Sequence, residues 1–351
     1  MSGVLEAGKR ICMVLLSGIG DVVHGLPIVN ALERDDPERR ITWIVESLGA
    51  LLLRPHPAID EVITFDRRRG LTAVTGLWRA LRRLEFDTVI NFNVYFKAIV
   101  PTAIARAPDK LAFGRDRARD LVWLFANHRL PARQTRHTQD RFLEFLAYLG
   151  IETEPIEWRI QLTEEEREAQ SEFFRALAGR PTVGLVPTSG RPLKDWPVER
   201  FAETATALER DFGFEVVLLG GPGARETERA RAVAESSEAA PRWALGNDLR
   251  RLVYLIDGLD LLIAPDTGPV HIARALGTPV IGLYGHTDPH EVGPYRAYED
   301  LWIDRSRDEP ERHAPGGWDQ RMELIAVSDV LDRVERALER YVRPRAESGG
   351  A

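Results

Sequence analysis

Cysteine is almost absent from this chain. Among 351 residues there is one, Cys12, so no internal disulfide can form and a reducing compartment suits the protein. It stands in the apolar run Ile11 to Leu16, where a lone thiol serves as a small core residue. Also missing is any apolar run near the ~20 residues that a membrane-spanning helix needs. The opening Met1-Ser2-Gly3-Val4-Leu5-Glu6 lacks the basic start and apolar core of a signal peptide, so export is not expected. No clustered His, Cys and Asp spacing suits a metal. Excess positive charge is lacking too: 47 Lys and Arg against 54 Asp and Glu leave a net −7, which argues against bulk nucleic-acid binding.

What is present fits a globular protein, 44% hydrophobic and 29% charged, long enough for two domains of about 150 residues. Strand-like runs at Ile11 to Leu16, Ile41 to Val45, Glu61 to Phe65 and Thr88 to Phe92 alternate with helical patterns near 22–33, 47–53 and 70–84. The alternation restarts with Thr182 to Val186, Glu215 to Leu219, Leu259 to Ala264 and Pro279 to Tyr284, with helices near 197–211, 223–236, 248–256 and 268–276. Such order implies βαβ units and two doubly wound parallel sheets, an α/β fold. The boundaries expected are a first domain over 1–155, a linker over 156–180, a second domain over 181–326 and a C-terminal segment over 327–351. The linker region holds a charged helix opening Thr163-Glu164-Glu165-Glu166, a capping-box start. The last segment is helical by pattern to Val342, and Arg343 to Ala351 is expected to be disordered.

Two strand-to-helix junctions carry chemistry. Asp266-Thr267-Gly268-Pro269-Val270-His271 follows an apolar strand and opens a helix whose first N–H groups have no partner within the helix. Such an end binds anions, phosphates above all; Thr267 adds a hydroxyl and Gly268 permits close approach. The alternative reading is an ordinary capped helix. The second junction is Ser17-Gly18-Ile19-Gly20-Asp21-Val22-Val23-His24. Its pattern is near a dinucleotide fingerprint, yet the third glycine is Val23 and a carboxylate stands where a pyrophosphate would lie. Asp21 therefore reads as a base displayed at the positive end of a helix, able to take a proton from a substrate hydroxyl.

Together these junctions resemble the two signatures of the ADP-heptose:lipopolysaccharide heptosyltransferases, glycosyltransferase family nine, of the GT-B fold. The second signature continues through Ala275-Leu276-Gly277-Thr278-Pro279 and Tyr284-Gly285-His286-Thr287-Asp288-Pro289. Pro187 to Pro197 is similar to the family's phosphate-side loop with its lysine, and order and spacing agree over roughly residues 10 to 340. The resemblance implies two Rossmann-like domains facing across a cleft, a C-terminal helix crossing back to the first, and inverting, metal-independent transfer of heptose from ADP-heptose to a lipopolysaccharide core. Asp21 is then the catalytic base. Thr188, Ser189, Lys194, Thr267 and Gly268 meet the donor phosphates; Lys194 could instead lie over Trp196. Glu226, Asp266 and His271 serve the donor nucleotide, though Glu226 also reads as a helix-start glutamate and His271 as a core or phosphate-side histidine. Base contacts would come from backbone near Leu245 to Leu249.

For the acceptor, Lys97 matches the family stretch, whereas Asn91 and Asn93 depart from it, and the basic run Arg67, Arg68 and Arg69 would draw an anionic glycolipid. Further clusters at Arg115-Asp116-Arg117 and Arg129 to Arg136 would attract carboxylates, phosphates or an anionic membrane surface, unless they are simply solvated. The family's frequent cysteines before the last helix are replaced by Arg312-His313-Ala314-Pro315-Gly316-Gly317. The partners implied are a sugar nucleotide, an anionic glycolipid and a transient contact with the inner membrane from the cytoplasmic side, with no nucleic acid and no bound cofactor. Competing readings are another GT-B enzyme, a transferase of different sugar specificity or a sugar-nucleotide epimerase, and a non-catalytic nucleotide-binding module.

Overall fold

The computed structural model describes residues 7–131, 133–177, 179–308 and 321–342. The chain divides into two compact units between Gln161 and Leu162. The first contains β1 (Arg10–Leu15), α1 (Ile19–Asp35), β2 (Arg40–Val45), α2 (Ser47–Leu53), β3 (Glu61–Thr64), α3 (Leu71–Leu81), β4 (Thr88–Asn91), α4 (Ile99–Ile104), β5 (Asp109–Phe113), β6 (His128–Leu130) and α5 (Thr138–Tyr148). Every strand pairs in parallel, in the order β3-β2-β1-β4-β5-β6. A parallel sheet is covered on both faces, so its inner strands are unbroken apolar runs; β1 and β2 bury all but their first residue. Cys12, Val14, Leu16, Ile44, Leu77 and Leu81 share one core cluster, and burial pushes the Cys12 thiol up.

The second unit contains α6 (Glu164–Arg175), β7 (Thr182–Leu185), α7 (Val198–Arg210), β8 (Glu215–Leu218), α8 (Ala224–Ser236), β9 (Arg242–Trp243), α9 (Leu249–Gly258), β10 (Leu261–Pro265), α10 (Gly268–Leu276), β11 (Val280–Tyr284), α11 (Pro289–Val292), β12 (Ile303–Asp304) and α12 (Val327–Arg340). Its parallel order, β12-β11-β10-β7-β8-β9, repeats the plan of the first. Trp196, Phe201 and Phe214 pack with Val183, Leu185, Ile263 and Ile281 at its centre. Gly277 ends α10 with φ 85°, a left-handed cap that side chains resist.

Two expectations need correction. The linker placed at 156–180 is shared between the units. Asn30 Nδ2 donates to Glu157 O at 2.7 Å, Arg34 to Glu154 O at 3.0 Å, and Arg159 pairs with Glu33 at 2.8 Å, so its start is pinned on α1. Its helix α6 opens with the expected capping box and packs on α9, with Arg250 Nε donating to Glu166 Oε1 at 2.7 Å. Within the second unit, α12 packs on the core. Val330, Val334 and Ala337 sit in the second unit's core, and Trp196 Nε1 donates to Ile325 O at 3.0 Å just before the helix. Lastly, β5, β6, β9 and β12 were not expected; all lie toward sheet edges, and two are only two residues long. Such short edge strands exist because a neighbour offers a ladder, with no period of their own. The expected disordered tail and the segment replacing the family cysteines lie outside the described residues.

A buried histidine locks the start of the inter-unit segment. His56 Nε2 donates to Trp158 O (3.2 Å) while Nδ1 accepts from Ala58 N (3.3 Å), an arrangement for the neutral ring only. Burial lowers its pKa from 6.5 to about 4. Between those values the unfolded chain binds the proton that the folded one refuses. Stability from this site is therefore complete above about 6.5 and falls as the pH drops toward 4, by up to roughly 3 kcal/mol. Urea midpoints at pH 7, 5 and 4 should show a smaller fall for His56→Gln than for the parent; equal slopes would remove His56 from the acid sensitivity.

Candidate active site

Both units present their loops at the carboxyl edge of a parallel sheet, at the point where strand order reverses. There the loops of two adjacent strands diverge and leave a crevice. In the first unit the reversal falls between β1 and β4. Asn93 fixes it: its Oδ1 accepts from Leu16 N at 3.1 Å and its Nδ2 donates to Val14 O at 2.9 Å, while Asn91 Oδ1 accepts from Asn93 N at 2.9 Å. These buried asparagines, which depart from the family pattern, staple the two strand ends together.

Asp21 stands in the first turn of α1, whose N-cap Gly18 offers no side chain to occupy the free N–H groups. One turn on, buried His24 and Gln139 bind reciprocally, the Gln139 amide reaching both the ring Nδ1 (3.0 Å) and the His24 carbonyl (2.9 Å). That contact holds α1 against α5 and thereby aims the first turn. Asp21 lines a cavity of about 450 Å³ with Ser17, Asn93, Tyr95, Thr135 and Thr138 and four arginines, Arg117, Arg119, Arg133 and Arg141. Arg117 is paired with the buried Glu144 and lies 4.5 Å over the Phe113 ring; Arg119 lies 5.5 Å over Tyr95. Arg117 and Arg133 belong to the charge clusters seen in the sequence, whereas Arg119 and Arg141 were not singled out and are brought to the cavity by the fold.

Lys97 lies beside this site, its Nζ 3.3 Å from Ser17 Oγ. Burial lowers its pKa, opposed by the nearby carboxylates of Glu46 and Asp21. Arg67, Arg68 and Arg69 form one exposed turn capped by Asp66 and do not line the Asp21 cavity. Arg67 alone of the three lines the adjacent groove, of about 700 Å³, with Lys97.

In the second unit the reversal falls between β10 and β7, and the phosphate-type motifs follow these two strands. Lys194 pairs with Asp266, joining the loop after β7 to the turn after β10. Thr267 is the N-cap of α10 and its side chain makes no cap hydrogen bond; Gly268 and Pro269 form the first turn. Asp266 and His271 are buried, as are Thr188 and Ser189. Ser189, however, is engaged within its loop: its N–H donates to Asp195 Oδ1 at 2.7 Å, its Oγ lies 2.9 Å from the same oxygen, and its carbonyl accepts from Arg225. It shapes the loop more than it offers donors. Asp195, Arg225 and Arg229, which frame this loop, were not singled out from sequence, because nothing local marks a buried ion pair spanning 30 residues.

Glu226 folds back over the glycine turn after β8. A Cβ on Gly223 would come within 2.2 Å of its Oε2, so any side chain there would displace the Glu226 carboxylate. The Leu245 side chain lies beside Gly220, and Gly246 N donates to Gly220 O at 3.2 Å, which sets the segment after β9 next to that turn. Along one sheet edge there follow, in order, the turn with Thr267, the loop with Lys194, the turn with Glu226 and the stretch from Leu245. Among the described residues no group of three His, Cys, Asp or Glu side chains is placed to hold a metal.

Comparison with known proteins gives a consistent result. Residues 74–315 match the family model of glycosyltransferase family 9 (heptosyltransferase). The chain is 31% identical over 297 residues to the lipopolysaccharide core heptosyltransferase OpsX of Haemophilus influenzae, covering 84% of each chain. It is 29% identical to lipopolysaccharide heptosyltransferase 1 of Pseudomonas aeruginosa over 304 residues, 82% of this chain and 81% of that one. Among solved structures, a glycosyl transferase family 9 protein from Veillonella parvula superposes with TM-score 0.80 at 26% identity, covering 95% and 98% of the two chains. The Escherichia coli heptosyltransferase WaaC with ADP superposes at 0.73 and 25%, covering 95% and 99%.

The framing of the Lys194 loop is open to direct test. Asp195 is buried and meets two guanidinium groups, Arg225 directly and Arg229 at 3.6 Å. Removing one partner of such a network strands the other charges. Asp195→Ala should cost about 3 kcal/mol in denaturant unfolding, and Asp195→Asn less; a loss below about 1 kcal/mol for the alanine variant would show that the network does not hold the loop.

Proposed function

The chain belongs to glycosyltransferase family 9, the heptosyltransferases, and from that premise we propose that it moves heptose from ADP-heptose to a lipopolysaccharide core acceptor, with inversion and without a metal. The observation that carries the reading is Asp21, held at the positive end of α1 in a cavity lined by arginines. A carboxylate there takes the proton of the attacking hydroxyl, and the arginines receive the carboxylates or phosphates of an anionic acceptor. The names of the relatives supply the sugar and the core; ADP is the ligand named with one structural neighbour.

Transfer needs two things of the protein. As the acceptor oxygen bonds to the anomeric carbon, Asp21 takes its proton; as the carbon–oxygen bond to the phosphate breaks, ADP leaves with the electron pair. Attack opposite the leaving group inverts the carbon. Lys194, steadied by Asp266, meets the growing charge with the Thr267 hydroxyl, the free N–H groups at Gly268 and Thr188. Glu226 fits the ribose hydroxyls, and the segment from Leu245 the base. His271, buried one turn into α10, serves the phosphate side. No helix among the described residues is long and apolar enough to cross a membrane. The proposed place of work, the cytoplasmic side in transient contact with the inner membrane, rests on the lipopolysaccharide core that the relatives' names give as acceptor.

Asp21→Asn should lower turnover at least ~10²-fold while leaving donor affinity within about twofold. Near-normal turnover would exclude Asp21 as the base, and free heptose released without acceptor would favour a different sugar-nucleotide reaction. Lys194→Ala and Thr267→Val should each weaken ADP binding by about 1.5–3 kcal/mol in calorimetry, and parent-like binding would move the phosphate site elsewhere. Transfer should persist in excess EDTA; loss restored by a divalent cation would refute metal independence.

A further inference from the structure

We propose that one face of the first unit, built from residues 67–84, 95–97 and 121–125, seats on an anionic lipid bilayer and that this seating presents the acceptor to Asp21. The proposal rests on the reading of the acceptor as a glycolipid and adds the surface and its orientation. Among the described residues, ten large apolar side chains are conspicuously exposed, and seven fall between 71 and 125: Leu71 (83%), Phe96 (66%), Leu121 (58%), Leu124 (52%), Trp78 (50%), Tyr95 (44%) and Phe125 (39%). The second unit exposes only Leu193 and Trp243 in this way. Such clustering on one unit marks an interaction surface.

The charge beside it selects the partner. From Arg67 to Leu84 the chain has six arginines and no acid. On α3, Leu77 and Leu81 face the core while Leu71, Trp78 and Arg82, on a shared helical stripe, face water. Arginines beside apolar side chains and a tryptophan suit the headgroup boundary of an anionic membrane. The remaining elements join this helix. Leu71, Tyr95, Phe96, Arg67 and Lys97 line one groove, and the Asp120 carboxylate, just before the exposed turn Leu121–Phe125, accepts from Phe96 N at 2.6 Å. Tyr95 lines both this groove and the Asp21 cavity, so a glycolipid with its apolar end in the groove has its anionic sugar beside the base.

The test is sedimentation of the full chain with vesicles of phosphatidylglycerol and phosphatidylethanolamine, and with pure phosphatidylcholine. The parent should partition at least ~10-fold better onto the anionic vesicles, and 0.5 M salt should erase most of that preference. Two variants, Trp78→Gln/Leu121→Gln/Leu124→Gln and Arg79→Gln/Arg82→Gln/Arg83→Gln, alter exposed side chains that line neither the groove nor the Asp21 cavity. Each should lose at least ~10-fold in partition while keeping parent-like transfer to a delipidated core acceptor. Parent-like partition of both variants, or equal binding to the two vesicle types, would overturn the proposal. So would a parent dimer in ultracentrifugation that the apolar variant abolishes, since the face would then belong to a second copy. Transfer to the delipidated acceptor reports separately on the catalytic reading: vesicle binding without transfer would leave this surface standing and sink the function.

Discussion

Parallel strand order with one reversal is the constraint from which the functional geometry follows. In each unit the chain winds one way from the central strand, returns, and winds the other way, so the loops after two neighbouring strands must part at the carboxyl edge. In the first unit that parting lies after β1 and β4 and is closed at its base by Asn93. In the second it lies after β10 and β7 and is bridged by Lys194 and Asp266. A helix begins directly after β1 and after β10, so both crevices open onto unsatisfied N–H groups. What distinguishes them is chemistry: a carboxylate stands in the first turn of α1, and none in that of α10.

If this crevice takes the proposed donor, the Lys194–Asp266 pair holds a cation ready for it. An isolated half-buried ammonium would pay for desolvation; a carboxylate at the strand end offsets that cost and fixes the direction of Nζ. The pair stands beside Tyr284, whose hydroxyl burial pushes well up, with Asp266 and Asp304 adding to the effect. A diphosphate arriving at Thr267 would compete with Asp266 for the same ammonium, so part of its binding is spent displacing an existing contact. A lysine so held is ordered beforehand, and less side-chain freedom is lost when the ligand comes.

The parts legible in the sequence were those governed by short-range rules. Strands β1, β2, β7 and β10 are unbroken apolar runs, the glycine turns after them have fixed places, and the Thr163 capping box is written within four residues. The ends of α12 were readable for the same reason, but its docking was not: Trp196, Arg200 and the core around Val334 hold it, and none of these is near in sequence. The edge strands β6, β9 and β12, and β5 beside β6, escaped because their pairing is supplied by neighbours. At the sites, Asp21, Lys194 and Thr267 could be named from their turns. The direction of each arginine around Asp21 could not, since Arg117 is committed to Glu144 while Arg67 to Arg69 turn onto an exposed loop.

Around Asp21 the electrostatics pull in two directions. Positive charge surrounds the group that would have to accept a proton: the α1 end, Lys97 and the cavity arginines all stand around the Asp21 carboxylate. A sugar hydroxyl is far too weak an acid to lose its proton to such a group before the reaction starts. The proton must therefore move as the new carbon–oxygen bond forms, when positive charge on the attacking oxygen makes it acidic. On the proposed function, the same arginines would take up the anionic groups of the acceptor, which would offset the local positive field. On the proposed reading, an anionic acceptor would leave Asp21 in a less positive field than a neutral sugar in the same cavity, and a carboxylate in a less positive field takes a proton more readily.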